Sequence, residues 1–183
     1  MRDLCRDICD RHAAFRHVKM ERVSVVFSQT RSPVSWGLQA RLTPLRFVNG
    51  TLFDRRNGRI WTIQRLFDGE CEQLYILTFY LPRFLNLSYQ EKLVTVFHEL
   101  YHISPHFDGD IRRFDGPCFM HTASQARYDQ QMAVFVRQYL KTKPPEVLRR
   151  FLKYDFDGLC RRYGSVVGRK GIVPRLYCLS DVA

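Results

Sequence analysis

Two histidines and a glutamate lie within one five-residue stretch of the chain, His98-Glu99-Leu100-Tyr101-His102. If this stretch is helical, His98 and His102 share one face, because residues four apart are neighbours on a helix surface. Two imidazoles in that arrangement can bind one tetrahedral Zn²⁺ ion. Glu99 is rotated by about 100° from His98, so it lies beside the metal, where it can accept a proton from a water molecule that the metal activates. The sequence therefore predicts a catalytic zinc site with Glu99 as the general base.

The residues around this motif distinguish it from a chance pattern of charged residues on an exposed helix. Ser88 followed by Glu91 is a capping box, which predicts the start of a helix, and Pro105 predicts its end. The apolar residues recur with helical spacing, so we expect a buried helix whose polar groups need a partner. These apolar residues are Leu93, Val94, Val96, Phe97, Leu100 and Ile103.

A catalytic zinc ion needs a third protein ligand and keeps one position open for water. His121 is the favoured third ligand, because it lies at the predicted start of the next helix, after a loop that can fold back. His106 continues the four-residue spacing, but Pro105 ends the helix just before it. The remaining alternatives are three aspartates of the same loop: Asp108, Asp110 and Asp115.

Two aspartates of this loop, Asp108 and Asp110, have a second predicted role beside the metal. We expect them to orient the N–H group of a metal-binding histidine, or to pair with Arg112 and Arg113 and so keep the loop ordered. Hydrolysis also needs a hydrogen-bond donor for the negatively charged oxygen of the tetrahedral intermediate. Three side chains are candidates for that donor: Tyr101, Arg112 and Tyr128.

The predicted elements place this site in a single α+β domain over residues 1–183. The order is an N-terminal helix, a small mixed or antiparallel sheet of three to four strands, the helix of the motif and a second long helix. The core covers residues 73–140, and a basic C-terminal tail covers residues 145–183. Helices are predicted at residues 3–17, from Ser88 to Pro105, from Thr122 to Pro144 and at 146–154, strands at 23–27, 38–48, 59–67 and 73–80, and a β-hairpin at 164–171.

The chain is basic, with 29 Lys and Arg residues against 18 Asp and Glu residues and a formal net charge of +11. A surface of that sign attracts polyanions, so nucleic acid is a candidate partner. The alternative is a basic protein without a specific acidic partner. The basic residues crowd most in the C-terminal third, at Arg149, Arg150, Lys153, Arg161, Arg162, Arg169, Lys170 and Arg175.

Six cysteines are spread along a chain that is long enough to bury a core without disulfides. The charged N-terminus does not resemble a signal peptide, and no apolar run reaches the roughly 18 residues of a membrane span. We therefore expect a cytoplasmic protein with reduced cysteines and no membrane contact. Cys5 and Cys9 match no usual zinc spacing, so we expect buried free thiols. The alternative is a structural zinc site that they form with His12, or with Cys160 and Cys178.

One part of the chain resembles a known family. The residues that carry the resemblance are the strand Leu74–Tyr80 and the segments Leu87-Ser88, Glu91-Lys92-Leu93 and Val96–Ile103. Residues 73 to 140 resemble the core of the SprT-like zinc metallopeptidases and of related metallopeptidases from bacteria and phages. The resemblance implies a minimal zincin-like domain with Zn²⁺ as cofactor. His98, Glu99 and His102 match the family's motif position for position, and His121 matches its third ligand by order. In two departures from the family, the tail has only Cys160 and Cys178 in place of a zinc ribbon, and Thr122 follows His121 where glycine is usual.

These observations predict a zinc metallopeptidase, an endopeptidase that hydrolyses bonds in a protein or peptide substrate. Two other classes stay open: a nucleic-acid-binding protein with a structural zinc ion, and an inactive scaffold with a metallopeptidase fold. The substrate is expected to add as an extra strand to an exposed edge at Gln73–Tyr80. The alternative is that this strand, which is apolar on both faces, is central and covered.

Overall fold

The computed structural model describes residues 1–30, 37–113 and 125–179 of the chain. It confirms the mixed α+β class, with helices that flank small sheets of two or three strands. The helices are α1 (Arg2–Arg11), α2 (Tyr89–Tyr101), α3 (Gln125–Lys141), α4 (Glu146–Arg149) and α5 (Phe156–Tyr163). The strands are β1 (Val23–Gln29), β2 (Ala40–Pro44), β3 (Phe53–Arg56), β4 (Arg59–Ile63), β5 (Leu66–Asp68), β6 (Cys71–Gln73), β7 (Tyr75–Leu81) and β8 (Leu176–Cys178).

The main sheet is mixed and has the strand order β1-β7-β2. Strand β7 pairs with β1 in parallel and with β2 in antiparallel orientation, so that Leu77 lies between Val25 and Leu42. Because β7 is hydrogen-bonded on both edges, the expectation that a substrate adds to an exposed edge at Gln73–Tyr80 is wrong. The alternative, a covered central strand, is the arrangement that the structure has, and it explains why both faces of this strand are apolar.

The main core lies between the inner face of this sheet and the three longest helices. Tyr75, Leu77 and Phe79 of β7 are completely buried in it, together with the apolar face of α2. Aromatic rings fill the space behind α2, where the Phe15 ring lies 5.3 Å from the Phe97 ring and makes edge contacts with further rings. The helix that carries the motif is therefore buried, as its apolar periodicity predicts.

Buried Lys92 connects α2 to the C-terminal part of the chain. Its ammonium group donates to the backbone oxygens of Leu152 and Tyr154, at 3.0 and 2.7 Å. Burial lowers the pKa of Lys92, with the nearby Asp155 acting in the opposite direction. These two bonds satisfy carbonyls at the end of a 3₁₀ turn and hold that turn against the helix.

The N-terminal helix is shorter than its predicted range of residues 3–17. It ends at Arg11, because the His12 ring turns back and accepts a hydrogen bond from the Ala14 N–H group to start a 3₁₀ turn. The same ring contacts Gln138 on α3 at 2.9 Å, and Cys5 and Cys9 are buried free thiols. No helix in the described part of the chain has the length and apolar character of a membrane span.

The predicted β-hairpin at residues 164–171 is wrong, because this segment runs along β1. The Phe27 N–H group donates to the Arg169 carbonyl at 3.0 Å, and farther on β8 joins β4 as a third strand. A Cβ atom at Gly168 would lie 2.3 Å from the Phe27 ring, and one at Gly171 would lie 2.7 Å from Val26. These glycines therefore serve close approach to β1 and not the turn of a hairpin.

Three arginines surround the carboxylate of Glu72 on β6. Arg46 and Arg65 each reach it at 2.6 Å, and Arg22 lies 3.6 Å away. The hydrogen bond from Arg65, together with that from Arg46, lowers the pKa of Glu72 to about 2, although partial burial acts against it. This cluster joins the end of β2 to the small β5-β6 sheet.

The Glu72 cluster predicts a stability that depends on pH. The pKa of Glu72 is lower in the folded protein than its ordinary value of 4.5, so its stabilisation is present above that value and is lost as pH falls towards 2. We expect Glu72→Gln to lower the free energy of unfolding by about 2–4 kcal/mol at neutral pH and by less in acid. Urea unfolding of this variant and of the exposed control Glu70→Gln, at several pH values, measures the effect. A loss that is the same at every pH would contradict the expectation.

Candidate metal and catalytic site

The helix of the motif starts where its capping box predicts. The Ser88 hydroxyl accepts from the Glu91 N–H group at 3.3 Å, and the Glu91 carboxylate accepts from the Ser88 N–H group at 2.8 Å. Helix α2 runs from Tyr89 to Tyr101, and His102 is its C-cap. The motif therefore occupies the last turn of a buried helix.

His98 and His102 lie side by side at this end of α2. Their ring centres are 4.7 Å apart, and both side chains are largely buried. Two imidazoles that bind one tetrahedral zinc ion through nitrogens at about 2.0–2.1 Å have ring centres about 5 Å apart. The observed pair thus fits two of the three protein ligands of a catalytic zinc site.

Glu99 points from the same turn towards the main sheet. Only 8% of Glu99 is exposed, and its Oε2 atom accepts a hydrogen bond of 2.6 Å from the Leu42 N–H group of β2. Burial raises the pKa of Glu99 to about 7, while the bond from Leu42 and the charge of Arg41 act in the opposite direction. A carboxylate in this environment is an effective proton acceptor near neutral pH.

The strand register explains why the Leu42 N–H group faces the helix. The Leu45 N–H group donates to the Leu74 carbonyl, and the Gln39 carbonyl accepts from the Tyr80 N–H group. In residues 39–45, the odd-numbered residues therefore form the backbone hydrogen bonds with β7. Leu42 is an even-numbered residue of this segment, so its N–H group points away from β7, to the outer edge of β2. Glu99 is therefore fixed at a sheet edge and not in the middle of the core.

Tyr128 on α3 closes the site from the other side. Its ring centre lies 4.7 Å from that of His98, and it stacks on His102 at 5.8 Å with an interplanar angle of 20°. Burial raises the pKa of Tyr128 above its ordinary value, as do the neighbouring Tyr101 and Glu99. The phenol therefore keeps its proton and is a hydrogen-bond donor at neutral pH.

Arg112 covers the end of α2. Its backbone N–H group donates to the His102 carbonyl at 2.7 Å, and its side chain donates to the Tyr101 carbonyl at 2.7 Å. The guanidinium group also lies over the Tyr101 ring, 4.1 Å from the ring centre. Arg112 thus satisfies carbonyls that the helix end leaves free and places its positive charge at the negative end of the helix dipole.

The loop between the motif and Arg113 is ordered by its two aspartates. Asp110 accepts from the N–H groups of Asn49 and Ile111 and from the Arg113 side chain. Asp108 accepts from the Asp110 N–H group at 3.1 Å. Of the two roles expected for these carboxylates, the observed bonds are those that order the loop, with Arg113 as the ion-pair partner of Asp110.

The candidates for the third ligand have different positions. His106 is exposed in this loop, and its N–H group donates to the Ser104 hydroxyl at 3.2 Å. His121 and Asp115 lie outside the described residues. Within residues 1–30, 37–113 and 125–179, no group of three or more His, Cys, Asp or Glu side chains is arranged to hold a metal ion.

Two groups at the site were not expected from the sequence. Asp129, next to Tyr128 on α3, has its Oδ1 atom 4.0 Å from Nδ1 of His98. One indication of it was present in the sequence, because Asp129 is acidic and directly follows Tyr128, a predicted hydrogen-bond donor on the second long helix. The other group is the Leu42 N–H donor, which has no signal at all, because every residue except proline has such a group.

The fold and the site together define an α+β protein with two histidines and a glutamate in the last turn of a buried helix. Comparisons of the chain with protein-family models, with curated proteins and with solved structures return no match.

Tyr75 is bonded to the loop at residues 104–113, which follows the motif, and substitution of Tyr75 tests how this loop is held in place. Its hydroxyl accepts from the Gly109 N–H group and donates to the Asp110 carbonyl, both at 2.9 Å. We expect Tyr75→Phe to lower the free energy of unfolding by about 1–3 kcal/mol and to increase amide hydrogen exchange across residues 104–113. Tyr80→Phe on the same strand is the matched control. Unchanged exchange in the loop, relative to this control, would contradict the role of Tyr75.

Proposed function

We propose that this protein is a zinc-dependent metallopeptidase, an endopeptidase with a zincin-like fold. The observation that carries the proposal is the arrangement at the end of α2. Two imidazoles lie 4.7 Å apart, and the carboxylate between them in sequence is buried and held by a backbone N–H group. Among common side chains, this combination of donors and base suits a hydrolytic zinc site.

The residues have distinct roles in the proposed reaction. His98 and His102 hold the metal, and His121 is the proposed third ligand by its place in the sequence. The zinc ion, when bound, supplies polarisation of the scissile carbonyl and activation of a water molecule. Glu99 accepts the proton from the attacking water and delivers it to the leaving amine.

The contacts of Glu99 and Tyr128 support these roles. The Leu42 N–H group holds Oε2 of Glu99 and so restricts the orientation of the carboxylate. Tyr128 keeps its proton and contacts both histidine rings, so it is the proposed donor to the negative oxygen of the tetrahedral intermediate. Arg112 is less suited to this role, because it is bonded to the Tyr101 carbonyl.

The proposed place for the substrate is the outer edge of β2, because β7 is central. The backbone groups of Ala40 share the alternation of Leu42 and point away from β7. An extended peptide can bond to such an edge through its own backbone, which makes few demands on its side chains. We therefore expect cleavage of unfolded or flexible segments with weak sequence preference.

The first test of this function is the metal itself. We expect one zinc ion per chain in the purified protein, and none in the His98→Ala, His102→Ala double variant, because the helix supplies both imidazoles. His121→Ala should weaken zinc binding strongly, whereas His106→Ala, at an exposed loop position, should have little effect. Metal analysis and a zinc competition titration measure these values. Full zinc occupancy in the double variant would exclude the proposed site.

The second test separates the base from the fold. We expect Glu99→Gln to keep its zinc ion and its stability, since the amide oxygen can still accept from Leu42, but to lose hydrolysis by several orders of magnitude. Glu91→Gln makes the same chemical change on the same helix and preserves the capping box, so it should retain activity. The readout is cleavage of a labelled, denatured protein. If Glu99→Gln cleaved it at the rate of the Glu91→Gln control, Glu99 would not be the base.

A further inference from the structure

A cavity of about 1140 Å³ lies on the outer face of the main sheet, opposite the face that packs into the main core. Its floor is formed by the β7 residues that alternate with those of the main core, namely Ile76, Thr78 and Tyr80. On the β1 side, the cavity is bordered by the segment at residues 166–174, and on the β2 side by Arg41 and Thr43. The cavity therefore reaches the strand at which the peptide substrate is proposed to bind.

Arg41 is the basic residue of this strand, and its side chain is exposed. It lies opposite Thr78 in the register of β2 on β7, so both side chains are on the outer face of the sheet. Among the residues that the structure describes, no carboxylate forms an ion pair with Arg41. Burial raises the pKa of Glu99, and the charge of Arg41 is one of the two influences that lower it. The Arg41 guanidinium group thus lies within electrostatic reach of the proposed base.

The backbone of β2 limits where a peptide can pair with its outer edge. The Leu42 N–H group is used by Glu99, and Pro44 has no N–H group. Ala40, whose backbone groups point to the same outer edge, is the residue of β2 at which a peptide can pair. A peptide bound there passes Arg41 before it reaches Glu99 beside Leu42. The bond that is cut therefore lies within about two residues of the peptide side chain next to Arg41.

The face on which this peptide side chain lies follows from strand geometry. Directly opposite residues of paired strands point to the same face, with Cβ atoms about 4.5–5.5 Å apart. The side chain next to Arg41 therefore faces the cavity. Three charged residues line the cavity: Arg41, Lys170 and Asp157. Positive charge is in excess, and the charge nearest to the bound peptide is that of Arg41.

We propose that this cavity is a substrate subsite, and that Arg41 makes the peptidase prefer an acidic side chain, Asp or Glu, close to the scissile bond. A guanidinium group matches the geometry of a carboxylate and can bond to both of its oxygens. This inference rests on the proposed function and adds one electrostatic preference to a substrate that is otherwise recognised through its backbone.

The experiment maps cleavage of denatured, reduced and alkylated serum albumin by the zinc-loaded full chain, with mass spectrometry of the products. The residues around the cuts are compared with the composition of the whole substrate, which identifies the position of an acidic preference. Two synthetic peptides then carry Glu or Gln at that position and are otherwise identical. The ratio of their kcat/KM values is measured for the wild type and for each variant.

The variants change the charge of Arg41 in three ways, through Arg41→Gln, Arg41→Glu and Arg41→Lys. The matched control is Arg55→Gln, an exposed arginine on β3, which lies outside the main sheet. Zinc content and thermal unfolding check the fold of each variant. Because each ratio compares two peptides on one variant, partial loss of folded enzyme does not alter it.

We expect the wild type to cleave the Glu peptide about fivefold faster than the Gln peptide in kcat/KM, which is the strength of one charge-assisted pair at a partly exposed edge. Arg41→Gln should remove this difference, and Arg41→Glu should reverse it. Arg41→Lys should retain most of the preference, since the charge remains, and the Arg55→Gln control should retain all of it.

Two results would overturn this inference and leave the proposed function intact. One is cleavage by the wild type with no acidic preference near the cut. The other is an acidic preference that Arg41→Gln retains at the strength of the wild type. Absence of cleavage by the zinc-loaded wild type would instead remove the proposed function, and this inference with it.

Discussion

The hydrogen bond from the Leu42 N–H group to the Glu99 carboxylate joins the last turn of α2 to the outer edge of the main sheet. A buried carboxylate without a partner is unfavourable by several kcal/mol, so this bond constrains both elements. It depends on the register of β2 on β7, because a slip of one residue would turn the Leu42 N–H group towards β7. The placement of β7 at the centre of the sheet therefore determines where the carboxylate of the motif can lie.

The parts of the site that were predictable from the sequence are those with local causes. Ser88 and Glu91 define the start of α2, and the four-residue spacing of His98 and His102 places their rings together, because both depend only on helix geometry. The position of β7 was not predictable. A strand that is apolar on both faces can lie at the edge of a sheet, if other elements cover it, or at the centre. The pairing of β7 with β1 and β2 shows that it is central, and this pairing is not visible in the sequence.

The remaining differences come from contacts between distant segments. Leu42 contributes a backbone N–H group whose direction follows from strand pairing, and Asp129 approaches His98 because α3 packs on α2. Gly168 and Gly171 are of a residue type that is common in turns, but here the absence of a side chain lets their backbone lie close to Phe27 and Val26 of β1. In each case the residue type allowed several structures, and tertiary packing selected one of them.

The proposed catalytic site and the segment that leads into β3 are connected through the loop that follows the motif. The Arg46 N–H group donates to the Gly109 carbonyl, and the Asn49 N–H group donates to Asp110, so the chain that leads into β3 is held against this loop.

The most direct test of zinc binding by His98 and His102 is X-ray absorption at the zinc edge of the metal-loaded protein. We expect only nitrogen and oxygen ligands at about 2.0–2.1 Å, with a signature of at least two imidazoles. Sulfur ligands at about 2.3 Å would contradict it, since they would place zinc at the cysteines and not at His98 and His102.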